Sequence, residues 1–364
     1  MNNPFEHAPA ETAGGNPFAA GAPALQREPI AFSGRGGEYF GIWIVNLVLT
    51  LLTLGIYSAW AKVRRLQYFY RHTTLGGAAF DYHGDPRAIL KGRVIGFVLL
   101  LAYNVSFQFS IIAGIAVAVA LAAVMPALLM RSLRFRAHYS SWRGLRFGFD
   151  GGTGGAYSVF LKWPIFSVLT LYLLGPMWHQ RMKAYQFNHA RFGSARFAID
   201  APVGAYYRIY GAAIAVVLAG MAAIGALLGT LADGNPAVFA LAPLLFILLL
   251  LFVQPYLSAR LQNLVWNHMQ LDGHRFESTV SARRLYVIML TNLIGVVCTL
   301  GLFLPFAAIR LARYRLQSVT MLCAGPLDDF IAGQAQDVAA TGEEAADLFD
   351  VDIAQVRGFL AGGR

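Results

Sequence analysis

The side chains able to do chemistry are few and scattered in this sequence. Eight histidines occur, but none lies in an HExxH pattern, no GxSxG motif is present, and no Cys/His ligand cluster appears. His83 lies between Asp81 and Asp85 in DYHGD, a pattern that we interpret as the polar end of a strand. The two cysteines, Cys298 and Cys323, suggest neither a disulfide framework nor a metal motif. We predict a non-enzymatic protein without catalytic, cofactor-binding or metal-binding residues.

Polar residues inside apolar segments are the next candidates, because buried polar side chains in membrane helices often mark substrate paths. A shift of 246 positions superposes Asn46 on Asn292 and Thr53 on Thr299, and these four residues are the candidate intramembrane polar positions. Interhelical hydrogen bonding uses the same residue types, and these segments contain no acidic residue that could carry protons or sodium. A small-solute transporter or channel built from pseudo-repeats with broken helices is therefore the alternative function.

Arginines lead the basic stretches that follow the apolar segments, at Arg64, Arg131, Arg181, Arg260 and Arg310. Basic residues next to a membrane gain about 1 kcal/mol each near anionic lipid. We therefore predict a basic cytoplasmic layer that contacts anionic lipid headgroups or a protein partner, whose identity the sequence does not give. In the other interpretation, these arginines only cap helix C-termini and set topology. Their place beside apolar segments argues against nucleic-acid binding.

The composition indicates that helices in a membrane position these residues. Of 364 residues, 57% are hydrophobic and 13% charged, with mean hydropathy +0.52 and net charge +10. A soluble protein would carry roughly 25% charged residues. We predict a multi-pass α-helical membrane protein.

Four basic passages align without gaps, and each places a phenylalanine sixteen residues after its leading arginine. At one shared position lie the dipeptides Gly76-Gly77, Arg143-Gly144, Gly193-Ser194 and Asp272-Gly273. Such dipeptides favour tight hairpin turns, and the flanking residues alternate in polarity as strands do. The fold class that we predict is thus α+β, with internal repeats and small membrane-peripheral β-hairpins. The segment 29–34 is predicted to be an unpaired strand.

Three related Thr-Leu segments, at about 39–61, 157–178 and 286–308, alternate with two longer apolar blocks, 94–130 and 205–258. Each block can hold two helices, with turns predicted at 103–108 and 232–236. If the Thr-Leu segments are re-entrant, all basic passages fall on one face and these turns, which lack Lys and Arg, on the other. If they span, the basic passages divide between the faces. The positive-inside bias favours the re-entrant arrangement.

The segments YFGIWIVNLVLTLLTLGIYSAWAKVRRLQYFYRHTTLGGAAFDYHGDP and RSLRFRAHYSSWRGLRFGFDG, with the tail EEAADLFDVDI, resemble the YjgN family of bacterial inner-membrane proteins, a domain of unknown function. The resemblance spans about residues 29–352. It implies a multi-pass protein of the bacterial cytoplasmic membrane and supplies no catalytic residues. With the topology above, we expect both termini in the cytoplasm.

Three regions follow from composition. Residues 1–28 are rich in Ala, Gly and Pro and are predicted to be a disordered leader. Residues 29–324 form the repeat-built membrane domain. Residues 325–364 form an acidic tail, in which 342–360 has the spacing of a short amphipathic helix that could dock on the basic loops.

Overall fold

The computed structural model describes residues 25–232, 235–338 and 340, and eleven short strands there form one antiparallel sheet. The strands are β1 Gln26–Pro29, β2 Ala31–Phe32, β3 Thr73–Leu75, β4 Ala78–Tyr82, β5 Ser140–Trp142, β6 Leu145–Phe149, β7 Ala190–Phe192, β8 Ala195–Ile199, β9 Met269–Leu271, β10 His274–Ser278 and β11 Val319–Cys323. Their spatial order is β1-β11-β10-β9-β8-β7-β6-β5-β4-β3-β2.

The first extended stretch of the chain closes this sheet into a ring. β1 pairs with β11, and β2, one residue further on, pairs with β3. Ile30 lies between them and donates its backbone N–H to the carbonyl of Val319 at 3.0 Å. The strand predicted at 29–34 is therefore present, but the expectation that it is unpaired is wrong. Because both edges of the sheet end in this stretch, the described strands leave no long edge open to other chains.

The four predicted hairpin turns are present, and their backbone explains the residue types. Gly76, Gly77, Arg143, Gly144, Gly193, Asp272 and Gly273 all have positive φ, the conformation that tight hairpins of this kind require. Neighbouring hairpins also pair with each other, β4 with β5, β6 with β7 and β8 with β9, and these pairings complete the ring. The four recurrent phenylalanines lie on every second strand, β4, β6, β8 and β10, with ring centroids 6.4, 6.4 and 6.5 Å apart from Phe80 through Phe147 and Phe197 to Phe276.

Helices fill the connections between hairpins and make the protein mostly helical. They are α1 Gly36–Leu52, α2 Ser58–Arg71, α3 Pro86–Phe109, α4 Ile111–His138, α5 Thr153–Tyr157, α6 Trp163–Leu169, α7 Gly175–Asn188, α8 Val203–Ala232, α9 Ala242–Asn267, α10 Ala282–Cys298 and α11 Leu304–Gln317. A π-helical turn, Ser158–Lys162, joins α5 to α6, and a 3₁₀ turn, Pro236–Leu241, precedes α9. Every helical excursion leaves the ring from one strand and returns to the next, so all of them start from the same rim.

Among the described residues, four helices are long and apolar enough to cross a membrane: α3, α4, α8 and the stretch Ala237–Asn267 that contains α9. Their mean hydropathies are 1.6, 2.6, 2.3 and 2.7, and at most 11% of each most apolar window is buried inside the protein. The first pair turns at Ser110, whose side chain accepts from the N–H groups of Ile112 and Ala113. The turn predicted at 103–108 is therefore wrong, since those residues lie within α3. Asn104, Ser106 and Gln108 drew the prediction a few residues too early, although α3 continues through them.

The three Thr-Leu segments each break near the middle into an outgoing and a returning part. We call them the first arm (α1, then α2), the second arm (α5 and α6, then α7) and the third arm (α10, then α11). In the first arm, Gly55 at φ +91° donates its N–H to the carbonyl of Thr50 at 2.8 Å and ends α1. In the third arm, Gly301 at φ +95° donates to Val296 at the same distance. The tips carry leucines that are 95%, 88% and 95% exposed, at Leu54, Leu171 and Leu300.

Residues 327–338 form a C-terminal helix that lies across the opposite rim, at the hairpin turns. Gln334 is 6% exposed, and its Oε1 accepts from the backbone N–H groups of Ser194 and Ala195 at 2.9 and 2.7 Å. Arg143 pairs with Asp328 on the same helix. The predicted leader boundary at residue 28 is too late, because Gln26–Pro29 belong to β1. The amphipathic helix predicted at 342–360 lies outside the described residues.

Candidate functional site

The five repeated arginines all lie exposed on helices near the rim from which the helices emerge. Arg181 stacks 5.8 Å above the ring of Trp163, and Arg260 lies 5.8 Å from the ring of Tyr256. Arg64 donates to the hydroxyl of Tyr57 at 3.2 Å. Within the part of the chain that the structure describes, none of the five lies within 4.0 Å of an acidic side chain. They form an uncompensated basic belt, which we call the arginine belt.

These arginines do not cap their helices. Arg64 lies seven residues before Arg71, the last residue of α2. Arg310 lies seven residues before Gln317, the last residue of α11. Carbonyls without intrahelical partners occur only in the last turn, so the interpretation of these side chains as C-terminal caps is wrong.

Two of the four predicted intramembrane polar positions serve the arm turns. Thr53 donates its hydroxyl to the carbonyl of Leu49 at 2.7 Å and accepts from the N–H of Tyr57 at 2.9 Å. Thr299 makes the same pair of bonds, to Gly295 at 2.7 Å and from Phe303 at 2.9 Å. Both hydroxyls are therefore occupied in holding the helix break.

The two asparagines differ from each other. Asn292 is buried and paired: its Oδ1 accepts from Arg310 Nη1 at 2.9 Å, and its Nδ2 donates to the carbonyl of Ala307 at 3.3 Å. Asn46 is equally buried, at 7% exposed, but its Oδ1 has no hydrogen-bond partner in the part of the chain that the structure describes. A buried polar atom without a partner costs about 1–3 kcal/mol, so this position requires an explanation.

Asn46 lines a cleft of about 650 Å³ between α1, α2, α3 and the start of α11, which we call the basic cleft. Three cations line it as well: Lys62 and Arg65 from α2, and Arg93 from α3. Arg93 donates to the hydroxyl of Ser58, and none of the three cations has an acidic partner within 4.0 Å among the described residues. Burial lowers the pKa of Lys62, and the positive charges of Arg93 and Arg136 lower it further.

The positive charge continues toward the axis of the helix assembly. Burial lowers the pKa of Lys183, and Arg136 and Arg315 add to that effect. Arg315 donates its Nε to the side-chain oxygen of Gln262 at 2.6 Å, a neutral partner. Mutual repulsion among cations on α2, α4, α7 and α11 therefore makes this end of the helices attractive to anions.

A second cleft of about 620 Å³ lies between the second arm and α8. Adding 117 to Lys62, Arg65 and Arg93 gives His179, Met182 and Tyr210, which line it. Burial lowers the pKa of His179 to about 4, with help from the nearby charge of Lys183, and its Nδ1 shares a 2.8 Å hydrogen bond with the Tyr210 hydroxyl. The imidazole is thus neutral, and this cleft is apolar where the basic cleft is charged.

The histidines that sequence analysis considered have structural contacts. His72, His189 and His268 follow the ends of α2, α7 and α9, and each shares a hydrogen bond through Nδ1 with a carbonyl four residues earlier, at 2.7, 3.0 and 2.8 Å. His83 bonds to the Ser141 hydroxyl at 2.8 Å. Asp85 caps the start of α3. No group of three or more His, Cys, Asp or Glu side chains placed to hold a metal occurs among the described residues.

The cations of the basic cleft were not predicted from the sequence, although a comparison of the repeat copies could have identified them. A shift of 246 positions aligns Lys62 with Ala308 and Arg65 with Leu311. A position that is charged in one copy and apolar in another indicates that the two copies differ in function there.

Comparison with known proteins places this architecture in a family. The family described as bacterial proteins of unknown function (DUF898) matches residues 27–348, from β1 into the C-terminal tail. The chain belongs to this family. Inner membrane protein YjgN of Salmonella typhimurium is 25% identical over 359 aligned residues, covering 82% of this chain and 89% of the relative. Inner membrane proteins YjgN of Escherichia coli O157:H7 and K12 are 30% and 33% identical over 141 and 143 residues, about a third of each chain. No solved structure matches. The DUF898 relatives are thus inner-membrane proteins, in agreement with the four apolar helices.

Proposed function

We propose that this DUF898 protein is a non-enzymatic, multi-pass protein of the bacterial inner membrane with a cytoplasmic β-ring, and that its arginine belt binds anionic lipid headgroups. The single observation that carries the proposal is the arginine belt itself: five exposed arginines at the helix-bearing rim, without acidic partners among the described residues. At about 1 kcal/mol per residue near an anionic leaflet, such a belt would favour anionic over neutral lipid strongly.

The topology that this requires has two supports. Residues 94–130 and 209–259, which include the far ends of the long helix pairs, contain no Lys or Arg. The returning arm helices α2, α7 and α11 have 14 residues each, or about 21 Å at 1.5 Å per residue, less than the ~30 Å of a bilayer core. We therefore propose that the arms are re-entrant, that α3, α4, α8 and α9 cross, and that the repeat-built ring and both termini lie in the cytoplasm.

A small-solute transporter or channel remains the alternative prediction, but fewer of its candidate residues are free to contact a solute. Of its four candidate positions, only Asn46 has a polar atom without a partner, and the other three make hydrogen bonds within their own arms.

Lipid retention tests the lipid-binding function. The belt variant changes the five repeated arginines to Gln, and the control variant changes five exposed ring arginines instead: Arg27, Arg146, Arg191, Arg196 and Arg275. After purification in a mild detergent, native mass spectrometry should show anionic lipid on the unmodified protein and on the control, and a loss on the belt variant. Equal lipid content in all three would contradict the proposal.

A further inference from the structure

The basic cleft combines three cations with an unpaired amide oxygen, and no Asp or Glu is among the described residues that line it. Positive groups held together without a counter-charge are stable only if solvent or a bound anion compensates them. The Oδ1 of Asn46 needs a donor, which none of the described residues supplies. The unbalanced positive charge therefore favours a bound anion, and the unpaired amide oxygen favours a bound hydrogen-bond donor.

The third arm shows how the same fold is satisfied without a ligand. There Arg310 reaches Asn292 Oδ1 at 2.9 Å, and Phe303 occupies the position equivalent to Tyr57. In the first arm, the hydroxyl of Tyr57 holds Arg64 at 3.2 Å instead. That contact takes the arginine away from Asn46 and leaves the cleft open.

The walls of the cleft differ from the third arm in the same sense. Ser58, Lys62 and Arg65 stand where the third arm has Leu304, Ala308 and Leu311. Together with Tyr57, these residues make four positions of one short helical hairpin that are polar or cationic in the first arm and apolar in the third arm. The corresponding cleft of the second arm, with neutral His179 and Met182, shows that the scaffold does not itself require these charges.

The chemistry of the lining selects a ligand class. Guanidinium and ammonium groups suit phosphate oxygens, whereas Asn46 Oδ1 accepts a hydrogen bond from an O–H or N–H donor. Because the three cations of the cleft would repel an ammonium group, a neutral hydroxyl is the donor that fits. A volume of about 650 Å³ accommodates a small polar headgroup. Arg93 lies in the first part of α3, close to the rim, the depth at which headgroups would lie.

We propose that the basic cleft binds a phosphate ester that carries a free hydroxyl, the chemistry of a phosphoglycerol group, with the phosphate on Lys62, Arg65 and Arg93 and the hydroxyl on Asn46. The proposal rests on the lipid-binding function above and narrows it to one site and one headgroup. The group can come from an anionic lipid in the surrounding leaflet or from a soluble ester such as glycerol phosphate.

Headgroup selectivity in nanodiscs tests the site. Phosphatidylglycerol and phosphatidylmethanol carry the same single negative charge, but only the first presents hydroxyls, so each is offered in a neutral phosphatidylcholine background. Arg93→Gln should weaken phosphatidylglycerol binding about fivefold, since one cation near an anionic lipid contributes ~1 kcal/mol and 1.4 kcal/mol is tenfold. Lys91→Gln, an exposed cation on the same helix outside the lining, is the matched control and should change binding less than twofold.

Asn46→Leu isolates the hydroxyl contact. Because Asn46 Oδ1 has no partner among residues 25–232, 235–338 and 340, this variant loses no bond through that atom there and should fold, yet it should bind the two anionic lipids equally. Competition by soluble glycerol 3-phosphate would assign the site to a soluble ester, and its absence, with the glycerol preference intact, to the lipid. Equal binding of both lipids by the unmodified protein, or equal effects of Arg93→Gln and Lys91→Gln, would overturn the cleft assignment and leave the arginine belt standing. If the unmodified protein bound neither anionic lipid in preference to phosphatidylcholine, both the cleft assignment and the lipid-binding function of the arginine belt would be overturned.

Discussion

Replacing Gln334 by alanine should release the C-terminal helix from the ring. Its Oε1 accepts from the N–H groups of Ser194 and Ala195 and from the Ser194 hydroxyl. Ser194 is exposed and can bond to water instead, whereas Ala195 is 6% exposed and would keep an unpaired N–H. One buried unpaired donor costs about 1–3 kcal/mol, and about 2 kcal/mol raises the population of the released state roughly thirtyfold.

Cys323 reports that release. Its thiol is 1% exposed and shares a hydrophobic cluster with Leu327 of the C-terminal helix. In a background with the exposed Cys298 replaced by serine, the rate of maleimide labelling should rise about thirtyfold in Gln334→Ala. Gln336→Ala changes an exposed residue on the same helix and should leave the rate unchanged. Equal labelling rates in the two variants would refute the assignment of Gln334 as the anchor.

Three further perturbations follow from single contacts. Tyr57→Phe removes the hydroxyl that holds Arg64, so phosphatidylglycerol binding in nanodiscs should fall as the arginine fills the basic cleft. Gly301→Ala places a Cβ at φ +95°, where its nearest neighbour is Leu304 Cδ1 at an ordinary contact distance of 3.8 Å, so backbone strain rather than a clash should lower thermal stability by about 1 kcal/mol or more. Burial lowers the pKa of His274, whose neutral Nδ1 accepts from the Ala324 N–H at 3.2 Å. The unfolded chain binds the proton more readily, so this stabilisation should be complete above about pH 6.5 and lost as the pH falls through the lowered pKa. Thermal unfolding at pH 7.5 and 5 should show a smaller difference in His274→Gln.

Local features were predictable from the sequence because local chemistry determines them. The Gly-Gly, Gly-Ser and Asp-Gly dipeptides identify hairpin turns, since few other residues adopt positive φ. The glycine in LTLGIY likewise marks the place where α1 ends and the first arm turns back. These features need only a few consecutive residues.

Long-range features were not predictable in the same way. Ring closure joins Ile30 to Val319, and nothing near residue 30 encodes a partner almost 290 positions away. The first turn was predicted at 103–108 because Asn104, Ser106 and Gln108 are polar, whereas α3 continues through them to Phe109 and the chain turns at Ser110. The basic cleft depends on where Arg64 points, which is decided by a single hydroxyl on Tyr57.

The most direct test of the one-sided architecture is cysteine labelling in intact cells and spheroplasts with a membrane-impermeant reagent, in a background with Cys298 and Cys323 replaced. We predict that Ser110→Cys, at the turn of the first long pair, is labelled from the periplasm. Asp272→Cys, at the exposed β9–β10 turn, should be labelled only after the cytoplasm is opened. Leu300→Cys, at the tip of the third arm, should be labelled from neither side. Periplasmic labelling of Asp272→Cys or Leu300→Cys would contradict a cytoplasmic ring with re-entrant arms.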